Sequence, residues 1–305
     1  MKRLAISFLF FFGLVLQVEA QTDSFDKKLQ KVTKRITSEK YQLRYKLKPG
    51  ETVRYRVEQL ATVDTTIADG NQKAKTRNAS VRSLQIKDQS KNGNTTFDHT
   101  IEEVDMWSEV SGRKPVRYNS KTDKKPPVMF ENVAKSVGQP ISRVTMDSCG
   151  AIVKRVDKFK QANLGMGGLS IPLPKESIAV GHQWSTPMSV KVRLEDLRIK
   201  EIKTRELYTL KKVSAGVATI SIKTQILTPV RDAKVRSQLI QRISEGEIRF
   251  DIDAGRLISR RLDWDETVLG FNGPDSNMKY LARLTEELVT EKKAKTAARN
   301  AISKK

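Results

Sequence analysis

Apolar residues recur at every second position in short runs, the runs are split by turn residues, and the whole pattern occurs twice. In the first half Val53, Tyr55 and Val57 alternate with Arg54, Arg56 and Glu58, and Leu43, Tyr45 and Leu47 alternate with Arg44, Lys46 and Lys48. In the second half Val190, Val192 and Leu194 alternate with Lys191 and Arg193, and Ala218, Ile220 and Ile222 follow the turn residues Ala215-Gly216. Successive strand side chains point to opposite faces, so this is the signature of antiparallel sheet with one buried and one wet face. Pro49-Gly50, Asp69-Gly70-Asn71 and Asn92-Gly93-Asn94 supply turns between the runs. The apolar register slips near Val81–Leu84 and again near Val104–Met106, where a bulge or a strand end is expected.

The two halves also share a phrase. Val144-Thr145-Met146-Asp147-Ser148-Cys149-Gly150 is followed by Ile152, Val153 and Arg155; Phe250-Asp251-Ile252-Asp253-Ala254-Gly255 is followed by Leu257, Ile258 and Arg260. Each has two alternating apolar residues, an Asp, a turn glycine and an apolar pair with basic residues. The glycine supplies a positive φ and the Asp bonds backbone N–H groups of the turn. A duplicated β unit is the economical account, and it predicts a mostly β protein whose two related antiparallel units build a barrel- or sandwich-like core.

The flanks read differently. Met1-Lys2-Arg3, the apolar run Leu4–Leu16 and the exit Val18-Glu19-Ala20 form a secretory signal over residues 1–20, with the mature chain expected to begin at Gln21. Removing Lys2, Arg3 and Glu19 lowers the formal charge from +22 to +21. Residues 21–40 carry Phe25, Leu29, Val32 and Ile36 on one helical stripe opposite five basic residues, an amphipathic helix. The first β unit then spans 41–160, a glycine-rich linker 161–174, and the second β unit 175–272. Residues 129–137 suit a short helix. Residues 273–305 are expected to hold a C-terminal helix, with Met278, Leu281, Leu284 and Leu288 on its apolar face, and a basic tail.

The stretch Leu173–Trp184, with Pro174, Val180-Gly181 and Trp184, resembles a phrase of uncharacterised exported bacterial proteins with a duplicated β unit, here with His182 in place of an Asp. In those proteins a strand pair with an Asp-to-Gly turn comes later, as at Asp147 and Asp253. The likeness covers residues 41–270 and is similar in outline to the half-barrel envelope lipid carriers, in which a curved antiparallel sheet wraps a helix or a lipid. It implies the same outline here and, as an alternative function, carriage of an apolar ligand, with Leu164, Met166 and Leu169 as a gate.

Chemistry is thin. His99 and His182 are the two histidines and Cys149 is the one cysteine, so neither a zinc set nor an internal disulfide is available. His99 sits between Phe97 and Ile101 on an alternating face and reads as a partly buried sheet residue. Asp251 with Asp253, and Asp263 with Asp265, read as turn and edge residues. No nucleophile elbow or phosphate loop is present, and no catalytic residue, metal or cofactor is assigned; a hydrolase is the remaining enzyme alternative. The basic excess would attract an anionic envelope component, a polysaccharide or a lipid headgroup, and Arg44, Lys46, Arg54, Arg56, Lys191 and Arg193 are the candidate surface for it. Aromatics make up 6% of the chain and do not alternate with basic residues along it, which argues against dedicated nucleic-acid binding. The expectation is an exported, periplasmic or extracellular, non-catalytic binding protein.

Overall fold

Long amphipathic strands must bury their apolar face, and here the buried residues of both halves pack into one cluster. The structure is a computed structural model that describes residues 39–159 and 168–290. Its first run of elements is β1 (Lys40–Tyr41), β2 (Thr52–Ile67), β3 (Gly70–Gln89), β4 (Thr95–Val110), β5 (Val116–Asn119), helix α1 (Glu131–Ser136), β6 (Pro140–Met146) and β7 (Ile152–Asp157). The second run is β8 (Ile178–Ala179), β9 (Gln183–Arg193), β10 (Ile199–Ser214), β11 (Val217–Ile226), helix α2 (Ala233–Leu239), β12 (Glu245–Asp251), β13 (Arg256–Leu269) and β14 (Ser276–Leu288).

Twelve strands form one antiparallel sheet in the order β7-β6-β4-β3-β2-β14-β13-β12-β11-β10-β9, with β5 paired to β4 beside that path. The succession β7-β6-β4-β3-β2 thus matches β13-β12-β11-β10-β9, and β14 joins the two. The sheet does not close, since β7 and β9 each have one partner. Edge β9 carries Pro187, Lys191 and Arg193, residues that discourage a further strand from adding.

The turns follow backbone demands. Ala215 and Gly216 both have positive φ, 49° and 73°, which suits the two-residue hairpin between β10 and β11. The β2–β3 hairpin turns on Ala68-Asp69, one residue earlier than the glycine suggested, with Ala68 at φ 49°. The register slip at Val81/Arg82 is a bulge opposite β4, as the sequence pattern indicated.

One core serves both halves. Phe97, Ile101, Ile141 and Val144 of the first half cluster with Ile220, Ile248 and Phe250 of the second. Leu43, Tyr45 and Leu47 keep their period-two burial but join no ladder of the large sheet. Their segment runs between the two Asp-to-Gly turns: Tyr45 N–H donates to the Ser148 carbonyl at 2.8 Å and Lys46 N–H to the Gly255 carbonyl at 2.9 Å. Gly150 (φ 86°) and Gly255 (φ 59°) both press on this segment; a Cβ at Gly255 would lie 2.5 Å from Lys46 N, and one at Gly150 2.8 Å from the Tyr45 ring. The Asp that ties the second turn is Asp251, which accepts from Ala254 N–H, rather than Asp253. In the first turn Asp147 plays that part, accepting from Cys149 and Ala151 N–H.

The described part of the glycine-rich linker is packed. Ile171 and Leu173 are buried, Leu169 rests on the core, and Trp184 Nε1–H donates to the Pro172 carbonyl at 2.9 Å. Helix α2 covers the far end of the second half: Val235 and Leu239 pack on Val192 and Ile202, and the following Ile240 packs on Val268 and Tyr280.

The C-terminal helix is corrected. Residues 276–288 form β14, between β2 and β13. Tyr280, Ala282 and Leu284 point inward at every second position, while Leu281 points outward and supplies an accidental helical spacing. The strand pattern was masked because its next inward residue is a charge, Glu286. The expected N-terminal helix over 21–40 lies outside the described residues, apart from its last two. Among the described residues no helix is long and apolar enough to cross a membrane.

Candidate ligand groove on the outer sheet face

Two polar constellations stand out, one buried and one exposed. The buried one joins the halves. Glu286 of β14 is clamped by Arg82 of β3 and by Arg260 of β13, whose Nη2 lies 2.6 Å from it, and all three side chains are at most 6% exposed. Arg260 Nη2 also donates to the Gly168 carbonyl at 2.9 Å. Burial alone would push the Glu286 carboxyl up, but Arg260 and Arg82 outweigh it and hold it below the usual carboxylate range. The trio is thus an ionised, shielded cross-tie. It offers a substrate no approach, and breaking it strands a buried charge.

His99 is a second buried polar group. Its two ring nitrogens and the Oγ of cross-strand Ser142 have no hydrogen-bond partner among the described residues. Burial first, and then the charges of Arg82 and Arg155, hold its pKa down to about 3. It is a neutral core residue, as its place in the alternation suggested. His182 is exposed. Cys149 is half-buried with its Sγ 4.0 Å from the Pro174 carbonyl, and it has no disulfide. Among the described residues no group of three His, Cys, Asp or Glu could hold a metal ion.

The six candidate basic residues do not form one surface. Arg44 donates to the carbonyls of Leu43, Pro174 and Lys175, and Lys46 Nζ to that of Ile252 at 3.0 Å, so both fasten chain segments. Arg54 is paired with Glu102 at 3.0 Å. Arg56 is exposed on β2, whereas Lys191 and Arg193 lie on edge strand β9, six strand spacings away, about 29 Å along the sheet. Of the three gate residues, Leu164 and Met166 lie outside the described residues, and Leu169 packs inward.

What the sequence reading missed lies on the outer face of β13, β14, β2, β3, β4 and β5. Cross-strand pairing sets Asp263, Arg283, Leu60, Arg77, Trp107 and Arg117 in a single row across these six strands. The next row holds Asp265, Leu281, Thr62 and Lys75. Around Leu60, Trp107 and Leu281 the surface sinks into an open groove of about 570 Å³, which continues along Arg77, Asp105, Trp107, Arg117 and Asn119 into a second hollow of about 440 Å³. Leu60 is 44% and Leu281 38% exposed, on a face that otherwise alternates charged and polar residues.

The groove's electrostatics are mixed. Arg77 is neutralised by Glu58 at 2.6 Å and Asp105 at 2.8 Å, and Arg283 by Asp263 at 2.5 Å. Arg56, Lys75 and Arg117 are exposed and make no ion pair among the described residues. Arginine and apolar side chains therefore alternate across the strands, with about 10 Å between like members. This order is invisible along the chain, because neighbours in the row come from strands far apart in sequence.

No family model matches the chain, and no curated protein matches its sequence. Among solved structures it is similar to lipovitellin, from a study of lipid–protein interactions, with TM-score 0.45 and 11% identity over 80% of this chain. This chain spans 26% of the length of that lipovitellin chain. It is also similar to DynF from the dynemicin biosynthesis pathway of Micromonospora chersina, with TM-score 0.22 and 5% identity over 82% of this chain and 86% of that one. Neither likeness is close enough to bear on what this chain binds.

Proposed function

We propose that this chain is an exported, non-catalytic binding protein of the cell envelope that holds an anionic partner on the outer face of its sheet. The observation that carries the reading is the cross-strand row of arginines and apolar side chains lining an open groove, with Arg56, Lys75 and Arg117 beside it as unpaired cations. Exposed apolar groups on a wet sheet face, rimmed by charge, are the composition of a contact surface. The formal charge of +21 on residues 21–305 adds long-range attraction for a polyanion.

The carrier alternative has less support. The space that a half-barrel would offer a cargo is occupied here by the segments around Leu43–Leu47 and Ile171–Leu173. A hydrolase would need polar groups converging in an accessible cleft, and the tightest polar cluster, Arg82–Glu286–Arg260, is sealed.

The test is binding of residues 21–305 to immobilised acidic polymers at rising ionic strength. Binding is expected to fall steeply with salt and to be lost in R56E/K75E/R117E while K191E/R193E retains it. Equal loss in both variants would place the contact elsewhere, and a lipid-sized mass retained in native mass spectrometry would revive the carrier.

A further inference from the structure

We infer that the occupant of the groove is an acidic polysaccharide laid across the strands, with Trp107 as the platform for one sugar ring and Arg117 and Lys75 as the partners of its carboxylates. This deepens the function proposed above and rests on it.

The argument starts from charge density. The groove, with a further hollow of Arg56, Glu58 and Glu103 that adjoins it at Arg77, Asp105 and Asn119, places only a few unpaired cations, Arg56, Lys75 and Arg117, among the carboxylates of Glu58, Glu103, Asp105, Asp123, Asp263 and Asp265. A partner with a charge at every short step, such as a nucleic acid, would meet those carboxylates repeatedly and be repelled. A chain with a carboxylate only here and there, and hydroxyls between, suits the mixture better. Its charges reach the cations, and its hydroxyls donate to Asp105, Asp263 and Asp265, whose ionised oxygens accept only.

Shape and apolar content point the same way. The row runs perpendicular to the strands and spans about 24 Å from β13 to β5, long enough for several sugar units in an extended chain. Trp107 is half-buried, which restricts its ring before any ligand arrives. A fixed aromatic face in a groove binds the apolar C–H face of a sugar at little entropic cost. Leu60 and Leu281 extend that apolar floor toward β13. A flat membrane surface would instead need the apolar groups to protrude, and here they line a depression.

The experiment measures binding of residues 21–305 to hyaluronate, which carries a carboxylate on every second sugar, to its fully methyl-esterified form and to inorganic polyphosphate, at low and high salt. Hyaluronate is expected to bind, with W107A and K75E/R117E each weakening it roughly tenfold and W107F restoring most of the loss. The surface changes at Lys75 and Arg117 leave the core untouched, so they report on binding even if W107A perturbs folding. Equal binding of the neutral ester overturns the assigned role of the two cations. Binding of polyphosphate alone, indifferent to W107A, overturns the polysaccharide while leaving an anion-binding face. Binding of none of the three at low salt overturns both readings.

Discussion

The two halves of the sheet share one strand succession but fill their interiors differently. At one inner position the first half pairs His99 with Ser142, flanked by Leu84, whereas the second half pairs Ile220 with Ile248, flanked by Leu210. The first half thus keeps a ring and a hydroxyl without hydrogen-bond partners among the described residues, where the second is wholly apolar. The helices differ as well. Asp232 caps α2 by accepting from Lys234 and Val235 N–H at 2.7 and 3.3 Å, while Phe130 at the N-cap of α1 gives no side-chain cap. A repeated backbone plan therefore does not demand a repeated interior. Each half needs only enough apolar contact to hold its end of a shared core.

That sharing can be broken most directly at Glu286. E286Q leaves Arg82 and Arg260 buried without their counter-charge and is expected to cost about 3 to 5 kcal/mol in urea unfolding. Because the trio joins strands of both halves, the loss should appear as one cooperative transition; two separate transitions would show that the halves fold independently.

The next largest effect separates the halves through pH. His99 is neutral in the fold, with a pKa held down to about 3 against an unfolded value near 6.5, by burial and then by Arg82 and Arg155. Its contribution is complete above about pH 6.5 and is lost as pH falls toward 3, on the order of 5 kcal/mol in all. H99L should flatten that slope between pH 6.5 and 4, and a slope unchanged in H99L would assign it to the carboxylates. H99I with S142V, which imitates the second half, should raise stability at every pH by removing unpaired polar groups.

Smaller effects sharpen the comparison of the two turns. G150A would bring a Cβ within 2.3 Å of the Ile171 carbonyl oxygen, and G255A within 2.5 Å of Lys46 N; this clash adds to the strain of a positive φ, so each should cost about 2 to 5 kcal/mol by thermal unfolding. Gly50 has a positive φ but open space around it, and G50A should cost only the backbone strain, about 1 to 2 kcal/mol. A G50A variant as damaged as G150A would show that conformation rather than contact governs the turns. The smallest change is D232A, about 1 kcal/mol from the lost cap of α2.

The antiparallel strands, their turn glycines, the short helix at α1 and the mostly β class were all legible in the chain, because strand side chains alternate locally and turns need particular residues. The β14 strand was not, because Glu286 occupies an inward position that only Arg82 and Arg260, brought from β3 and β13, make tolerable. The segment around Tyr45 kept its alternation but joined no ladder of the large sheet, since the turns at Ser148 and Gly255 close on it from both sides.

The candidate groove was equally hidden. Trp107, Leu60, Arg77 and Arg117 are scattered along the sequence, and each by itself is an ordinary surface residue. By itself, the sequence determined what is local: period, turn and charge. Which residues stand side by side across strands, and so whether arginines and apolar groups alternate over a groove, is set by register between distant segments, and only the tertiary structure decided it.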